Sequence, residues 1–222
     1  TVDADIDAPE AWAKTTGSNN VVVAGIDTGV DYNHPDLVDN MWTNPGEIPG
    51  DGIDNDGNGV IDDVHGYNAY ADDGDPMDGH SHGTHCAGTI AGQGNNGQGV
   101  AGVAWDAQIM AVKIFDDSGK TSSDAILRGI TYAAKNGARI TSNSWGGGQK
   151  NDLIKEAFEK SSAFHVMAAG NNGRNVDRRE NYPSGYEMPN SISVAATDRN
   201  DRLANFSNYG QQEVDIAAPG VQ

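Results

Sequence analysis

Six short apolar runs limit what this chain can fold into: residues 21–26 (VVVAGI), 107–115 (AQIMAVKIF), 138–145 (ARITSNSW), 164–170 (FHVMAAG), 191–197 (SISVAAT) and 214–219 (VDIAAP). They are rich in β-branched residues and nearly continuous, as strands buried on both faces are. Helical patterns lie between several of them. Residues 122–137 offer Ser122 or Ser123 as N-cap, an apolar face of Ile126, Ile130 and Ala133, and Gly137 as a stop. Residues 151–163 form a second, with Leu153, Ile154, Ala157 and Phe158 predicted on one side. This alternation predicts an α/β fold: three layers, a mostly parallel sheet with helices on both faces. Ligands of such sheets gather at the carboxyl ends of strands. The residues to inspect are therefore Asp27, 144–148 and 170–172.

Charge is distributed unevenly. The net charge is −18, and between Lys14 and Lys113 there is no Lys or Arg, while the same stretch carries fifteen Asp and Glu. Such a surface excludes nucleic acid as a partner. No apolar run is long enough to span a bilayer. With one cysteine, Cys86, no internal disulfide forms. The densest acidic segment, GDGIDNDGNGVIDDVHG at 50–66, has no basic neighbour to offset its mutual repulsion. Counted from Asp54, oxygen ligands fall at the first, third and fifth positions (Asp54, Asp56, Asn58), with a turn-permitting Gly59 at the sixth. These are the spacings of a wrapped calcium loop, in which Val60 ligates through its carbonyl and Ile61 anchors the loop. His65 stands where such loops carry a bidentate Glu, so Asp62 or Asp63 must close the shell, Asp63 being the favoured choice. Many flexible oxygen donors suit Ca2+ better than Mg2+.

Three further positions carry chemistry. Asp27 ends the first apolar run. His82 opens the small-residue helical pattern in GHSHGTHCAGTIAG, where a neutral ring can take a proton near pH 7. Asn171 follows the run 164–170, where a side-chain amide can donate to a developing oxyanion. His80, His82 and His85 also offer an H-x-H-x-x-H spacing, which would suit zinc. That reading ranks lower, because three histidines on one short turn do not point at a single ion.

The blocks VAGIDTGVDYNHPDL, GHSHGTHCAGTIAG, SNSWGG, VMAAGNNG and ISVAATDRNDRLANFSNYG…VDIAAPGV resemble, in order, the signature blocks of the subtilisin-like serine peptidases, from Ile6 to the end of the chain. The resemblance implies a subtilisin-like fold and a calcium-stabilised serine endopeptidase. Asp27 orients His82, His82 acts as general base and then acid, and Asn171 stabilises the oxyanion. Ser144, Trp145 and Gly146 pair with an extended polypeptide substrate, Ser118 and Gly119 line its other side, and Ala168, Ala169 and Gly170 wall the pocket before the scissile bond. Cys86 is read as packing. Asp36, the side chain of Asn96 and the carbonyls of Gly94, Gln98 and Val100 match the family's high-affinity calcium site. Asp72, Asp73, Asp75 and Asp78 form a third acidic cluster.

The family's nucleophile sits in a Gly-Thr-Ser-Met-Ala type of block, and no such block occurs in these residues. The expectation is that residues 1–222 are a subtilisin-like domain whose C-terminal part is missing. The chain alone is then inactive, and its partners are the remaining part of the domain or its own pro-segment. The alternative is an inert, calcium-dependent peptide-binding module on the same scaffold. Secretion, or the lumen of a secretory organelle, is expected, since weakly enclosed calcium sites fill at extracellular concentrations.

Overall fold

A computed structural model describes residues 5–221. The first four residues and Gln222, which complete the 1–222 span, lie outside the described residues. The chain divides into two compact units, one formed by Thr16–Ser142 with Ser161–Ala163, the other by residues up to Thr15, Asn143–Lys160 and the chain from Phe164 onward.

In the larger unit the strands are β1 (Val22–Asp27), β2 (Gly66–Asn68), β3 (Gln108–Lys113) and β4 (Ile140–Asn143, its last residue counted with the other unit). They lie in the order β2-β3-β1-β4, and every ladder is parallel, with Val23 opposite both Ile109 and Ile140. The α-helices of this unit are α2 (His82–Ala91) and α3 (Ser123–Lys135); a short helix α1 (Ala8–Trp12) precedes them in the chain. Alternation along β3 assigns the faces. Ile109 and Ala111 join Val23, Ala87 and Ala91 in one buried cluster, so α2 covers that face. Val112 and Ile114 meet α3 on the other, where a Cβ at Gly129 would come within 2.6 Å of Ile114 and 3.1 Å of Val112. The unit is thus layered helix–sheet–helix, and β1 and β3 are buried on both sides, which is why their sequence is continuously apolar.

The helix signals act as the residue chemistry requires. Ser122 Oγ accepts the Ala125 N–H at 3.1 Å and caps α3; Ile126, Ile130 and Ala133 are buried. Gly137 follows in the left-handed region at φ 82°.

In the smaller unit β5 (Phe164–Ala168), β6 (Ser191–Thr197) and β7 (Ile216–Pro219) form parallel ladders in the order β5-β6-β7. Helix α4 (Asp152–Lys160) buries Ile154 and Phe158. Leu153, predicted on the buried side, is instead 62% exposed. Adjacent residues of a helix lie about 100° apart, so the i, i+4 pair defines a narrow stripe and its neighbour falls outside it. Phe158 packs edge-on against His165 at 4.7 Å. No helix among the described residues is long and apolar enough to cross a membrane.

Candidate active site

Asp27 is the last residue of β1, at the carboxyl edge of the sheet, and is 3% exposed. His82 is the first residue of α2. Its Nδ1 lies 2.7 Å from Asp27 Oδ1, which also accepts the Thr28 N–H at 2.7 Å. Close packing explains why the helix begins there. A Cβ at Gly83 would sit 2.1 Å from the Gly29 carbonyl oxygen and 3.1 Å from the Asp27 Cβ. Only glycine lets the first turn of α2 rest on the chain leaving β1. The imidazole remains half-exposed, its side chain 46% accessible, whereas the carboxylate does not.

The residue that holds this junction was not singled out for that role by the sequence. Ser81, the N-cap, has φ 82° and caps nothing with its side chain. Asp78 does so from outside the helix. Its Oδ2 accepts the Thr84 N–H at 3.0 Å and the Thr84 hydroxyl at 2.6 Å. Its Oδ1 accepts the Thr28 hydroxyl and the N–H groups of His80 and Ser81, at 2.9–3.0 Å. Thr28 Oγ1 in turn accepts the Gly83 N–H at 2.9 Å. Burial alone would raise the Asp78 pKa, but the hydrogen bonds from Thr84, His80 and Ser81 outweigh it and hold the carboxyl below the ordinary range. Buried Lys113 closes the other side of Thr28, its Nζ 2.7 Å from the Thr28 carbonyl oxygen and 2.7 Å from Asp117.

Cys86 is half-buried one turn along α2, its Sγ 4.0 Å from His82 Nδ1. His80 and His82 rings are 6.4 Å apart and edge-on. Among the described residues, His80, His82 and His85 do not bring ligating atoms within 4.8 Å of one another, and neither do Asp72, Asp73, Asp75 and Asp78. Ser118 and Gly119 form the exposed tip of a turn after β3, with Asp116 Oδ1 accepting the Ser118 and Lys120 N–H groups at 2.9 Å. The hydrogen bond from the Lys120 backbone, then that from the Ser118 hydroxyl, push the Asp116 pKa down to about 2.

In the smaller unit, Ser144, Trp145 and Gly146 continue from β4 without regular secondary structure. Ala168 ends β5, Ala169 is buried, Gly170 has φ 105°, and Asn171 is exposed at the tip of the following turn. The residue that shapes this turn carries no local signal in the sequence. It is fully buried Asn208, which donates from Nδ2 to the Ala169 carbonyl at 2.8 Å and from its backbone N–H to Gly170 at 2.8 Å. Its Oδ1 accepts the N–H groups of Asn172 at 3.0 Å and Arg174 at 3.3 Å.

The acidic loop folds around its own carboxylates. Asp54 accepts from the N–H groups of Gly57, Asn58 and Gly59 at 2.7–3.1 Å, and Asp56 from that of Asn58 at 2.9 Å. Val60 is the buried anchor; Ile61, expected in that role, is 55% exposed. Asp62 turns outward, both oxygens taken by the N–H groups of Gly50 and Gly52 at 2.8 and 3.0 Å. Asp63 is fully buried, accepting from the Tyr132 hydroxyl, Asn58 and Asn44, and burial raises its pKa. In the second loop, Asp36 is 3% exposed and accepts from Val100 N–H at 2.9 Å and Asn96 Nδ2 at 2.7 Å. These two bonds hold its pKa low. Gln98 reaches the loop through its N–H, 2.9 Å from Asn96 Oδ1.

Helix-flanked parallel strands with an Asp–His couple at a strand's carboxyl end are an arrangement in which α/β serine peptidases hold their general base. Residues 18–222 match the peptidase S8, or subtilase, family, and the chain belongs to that family. It is 41% identical over 219 residues to thermitase of Thermoactinomyces vulgaris and 37% identical over 221 residues to the major intracellular serine protease of Bacillus subtilis. Each alignment covers 97% of this chain, but 68% and 62% of those relatives. It is 40% identical to a thermophilic serine proteinase of a Bacillus species, of whose length it spans 46%. Among solved structures it resembles a protease from Pseudoalteromonas arctica (TM-score 0.78, 29% identity, 99% of this chain and 68% of that one). It also resembles a cold-adapted subtilisin-like serine proteinase (TM-score 0.69, 27% identity, 91% and 64%).

Proposed function

We propose that the protein containing this chain is a calcium-stabilised serine endopeptidase that hydrolyses polypeptides. The observation that carries the reading is the 2.7 Å contact between His82 Nδ1 and buried Asp27 in a subtilase chain. With its Nδ1–H donated to Asp27, the imidazole presents Nε2 as the base. It takes the proton of the serine hydroxyl during attack and returns it to the leaving amine, while the Asp27 carboxylate supports the transient imidazolium. The serine belongs to the family block that these 222 residues do not contain, so catalysis is assigned to the whole polypeptide. Asn171 donates to the oxyanion; its removal is expected to cost about two to three orders of magnitude in turnover, the size seen when such a donor is lost from an enzyme of this family. Ser144, Trp145 and Gly146 bind the substrate backbone, Ser118 and Gly119 contact it, and Ala168, Ala169 and Gly170 shape the pocket for the residue before the scissile bond.

Calcium is part of the proposal. Asp36 with the 94–100 loop, and the 54–63 loop, offer carboxylate and amide oxygens that form no ion pair with Lys or Arg among the described residues, which fits a hard divalent ion. The ion supplies positive charge that holds these loops folded and takes no part in bond breaking. Secretion, or passage into a secretory lumen, accompanies this reading.

The decisive experiment expresses the open reading frame through its serine block. Hydrolysis of a fluorogenic peptide, labelling by a serine-directed fluorophosphonate, and loss of both in His82→Ala are expected. Peptide binding without turnover or labelling would instead establish the inert binding module and end the peptidase reading.

A further inference from the structure

Glu47 lies outside the loop whose spacing suggested calcium, yet the fold delivers it there. It is 8% exposed, and its carboxylate comes within 4.8 Å of oxygens from both Asp54 and Asp56. Oε1 accepts the N–H groups of Asn55 at 2.8 Å and Asp56 at 3.1 Å. Oε2 is buried and has no hydrogen-bond partner. No ion pair among the described residues includes Glu47, Asp54 or Asp56. Mutual repulsion and an unsatisfied buried carboxylate oxygen are both unfavourable, and one cation among the three groups relieves both. The donors are all oxygens, which selects a hard ion over zinc or copper.

Of the two aspartates expected to close the shell, neither brings an oxygen into the group formed by Glu47, Asp54 and Asp56 among the described residues. Asp62 ties down Gly50 and Gly52, and Asp63 anchors the loop to α3 through Tyr132. We propose that Glu47, with Asp54 and Asp56, forms the carboxylate set of the calcium site, and that Asp63 is a structural anion beside it. This rests on the calcium reading of the loop given above. It changes what the ion does. A shell closed by Asp63 would fold the loop on itself, whereas one closed by Glu47 fastens the loop to the preceding turn. Asn44 already spans the same gap, its Nδ2 reaching Asp56 at 3.0 Å and Asp63 at 3.1 Å.

The test is calcium titration of the chelator-stripped, full-length protein by calorimetry, with melting temperatures in EDTA and in calcium. Glu47→Gln keeps the shape and the acceptor for Asn55 and Asp56. It is expected to weaken one calcium site at least tenfold and to lower the melting temperature in calcium. In EDTA it should melt no lower than the parent, because a repelling charge is gone; a residue of purely structural importance would lower both. Asp63→Asn should leave calcium affinity within about threefold. If Asp54→Asn loses a site while Glu47→Gln does not, Glu47 is not a ligand and the proposal falls. If Asp54→Asn binds as the parent does, the loop holds no calcium and the underlying reading falls with it.

Discussion

Replacing Asp78 tests whether a carboxylate outside α2 sets the start of that helix. Asp78→Ala removes five accepted hydrogen bonds at once. Those from His80 and Ser81 come from exposed residues, and water replaces the acceptor at little cost. Those from Thr28, 5% exposed, and from the third residue of α2, Thr84, do not recover so easily. Each is a bond to a charged acceptor, about 1.5–3 kcal/mol, and the Thr84 N–H bond is in effect the helix cap, about 1 kcal/mol by itself. Thr84 is only half-buried, so water recovers part of its two bonds, and a loss of about 3–5 kcal/mol of unfolding free energy, below the full sum of the three, is expected. Asp78→Asn keeps one oxygen but turns an NH2 toward donors, so about half that loss is expected. Urea unfolding in saturating calcium reads both. The pH dependence has a definite sign. The Asp78 pKa is lowered in the folded state, so its contribution is complete above the unfolded carboxylate value and disappears as pH falls through the lower folded value. In Asp78→Ala that part of the acid limb should be absent. A loss under about 1 kcal/mol, smaller than one such bond, would refute the assignment.

On the proposed peptidase function, Asp27→Asn in the full-length protein should lower kcat by about four orders of magnitude with KM little changed, because the wrong imidazole tautomer is then favoured; steady-state hydrolysis measures it. Phe158→Ala, at a fully buried site, should cost about 3–5 kcal/mol in denaturant unfolding. Tyr132→Phe removes only the hydroxyl that donates to buried Asp63, and should cost about 1.5–3 kcal/mol with calcium affinity unchanged. Burial depresses the His165 pKa, so the unfolded chain takes up a proton first and stability should fall as pH drops below about 6.5; His165→Gln should flatten that limb.

β1 and β3 were legible because they are buried on both faces and their composition says so without periodicity; β5 and β6 are only partly buried, and the run at 214–219, expected to be buried on both faces, forms a largely exposed β7 with Ile216 50% exposed. β2 was not, since three residues, Gly-Tyr-Asn, carry no strand signal and are held by pairing with β3. Asp27 and His82 were legible as a strand end and a helix start, local features that place a residue at an edge. Glu47, Asp78 and Asn208 were not. Each acts on chain that is distant or irregular, through carboxylates and amides of kinds that turns contain everywhere, and only the folded backbone shows which donors they meet. The offset at Val60 and Ile61 has the same origin, because side-chain direction in a glycine-rich loop depends on left-handed residues such as Gly59, at φ 98°.

Position 83 has a consequence for anyone rebuilding this site. With no space there for even a methyl group, the first turn of α2 cannot be lifted, rotated or shimmed against the strand below it. The backbone beneath the histidine is thus a fixed bearing, while the ring it carries stays open to solvent. New chemistry should be sought by changing what approaches the ring, since altering the seat would displace strand and helix together.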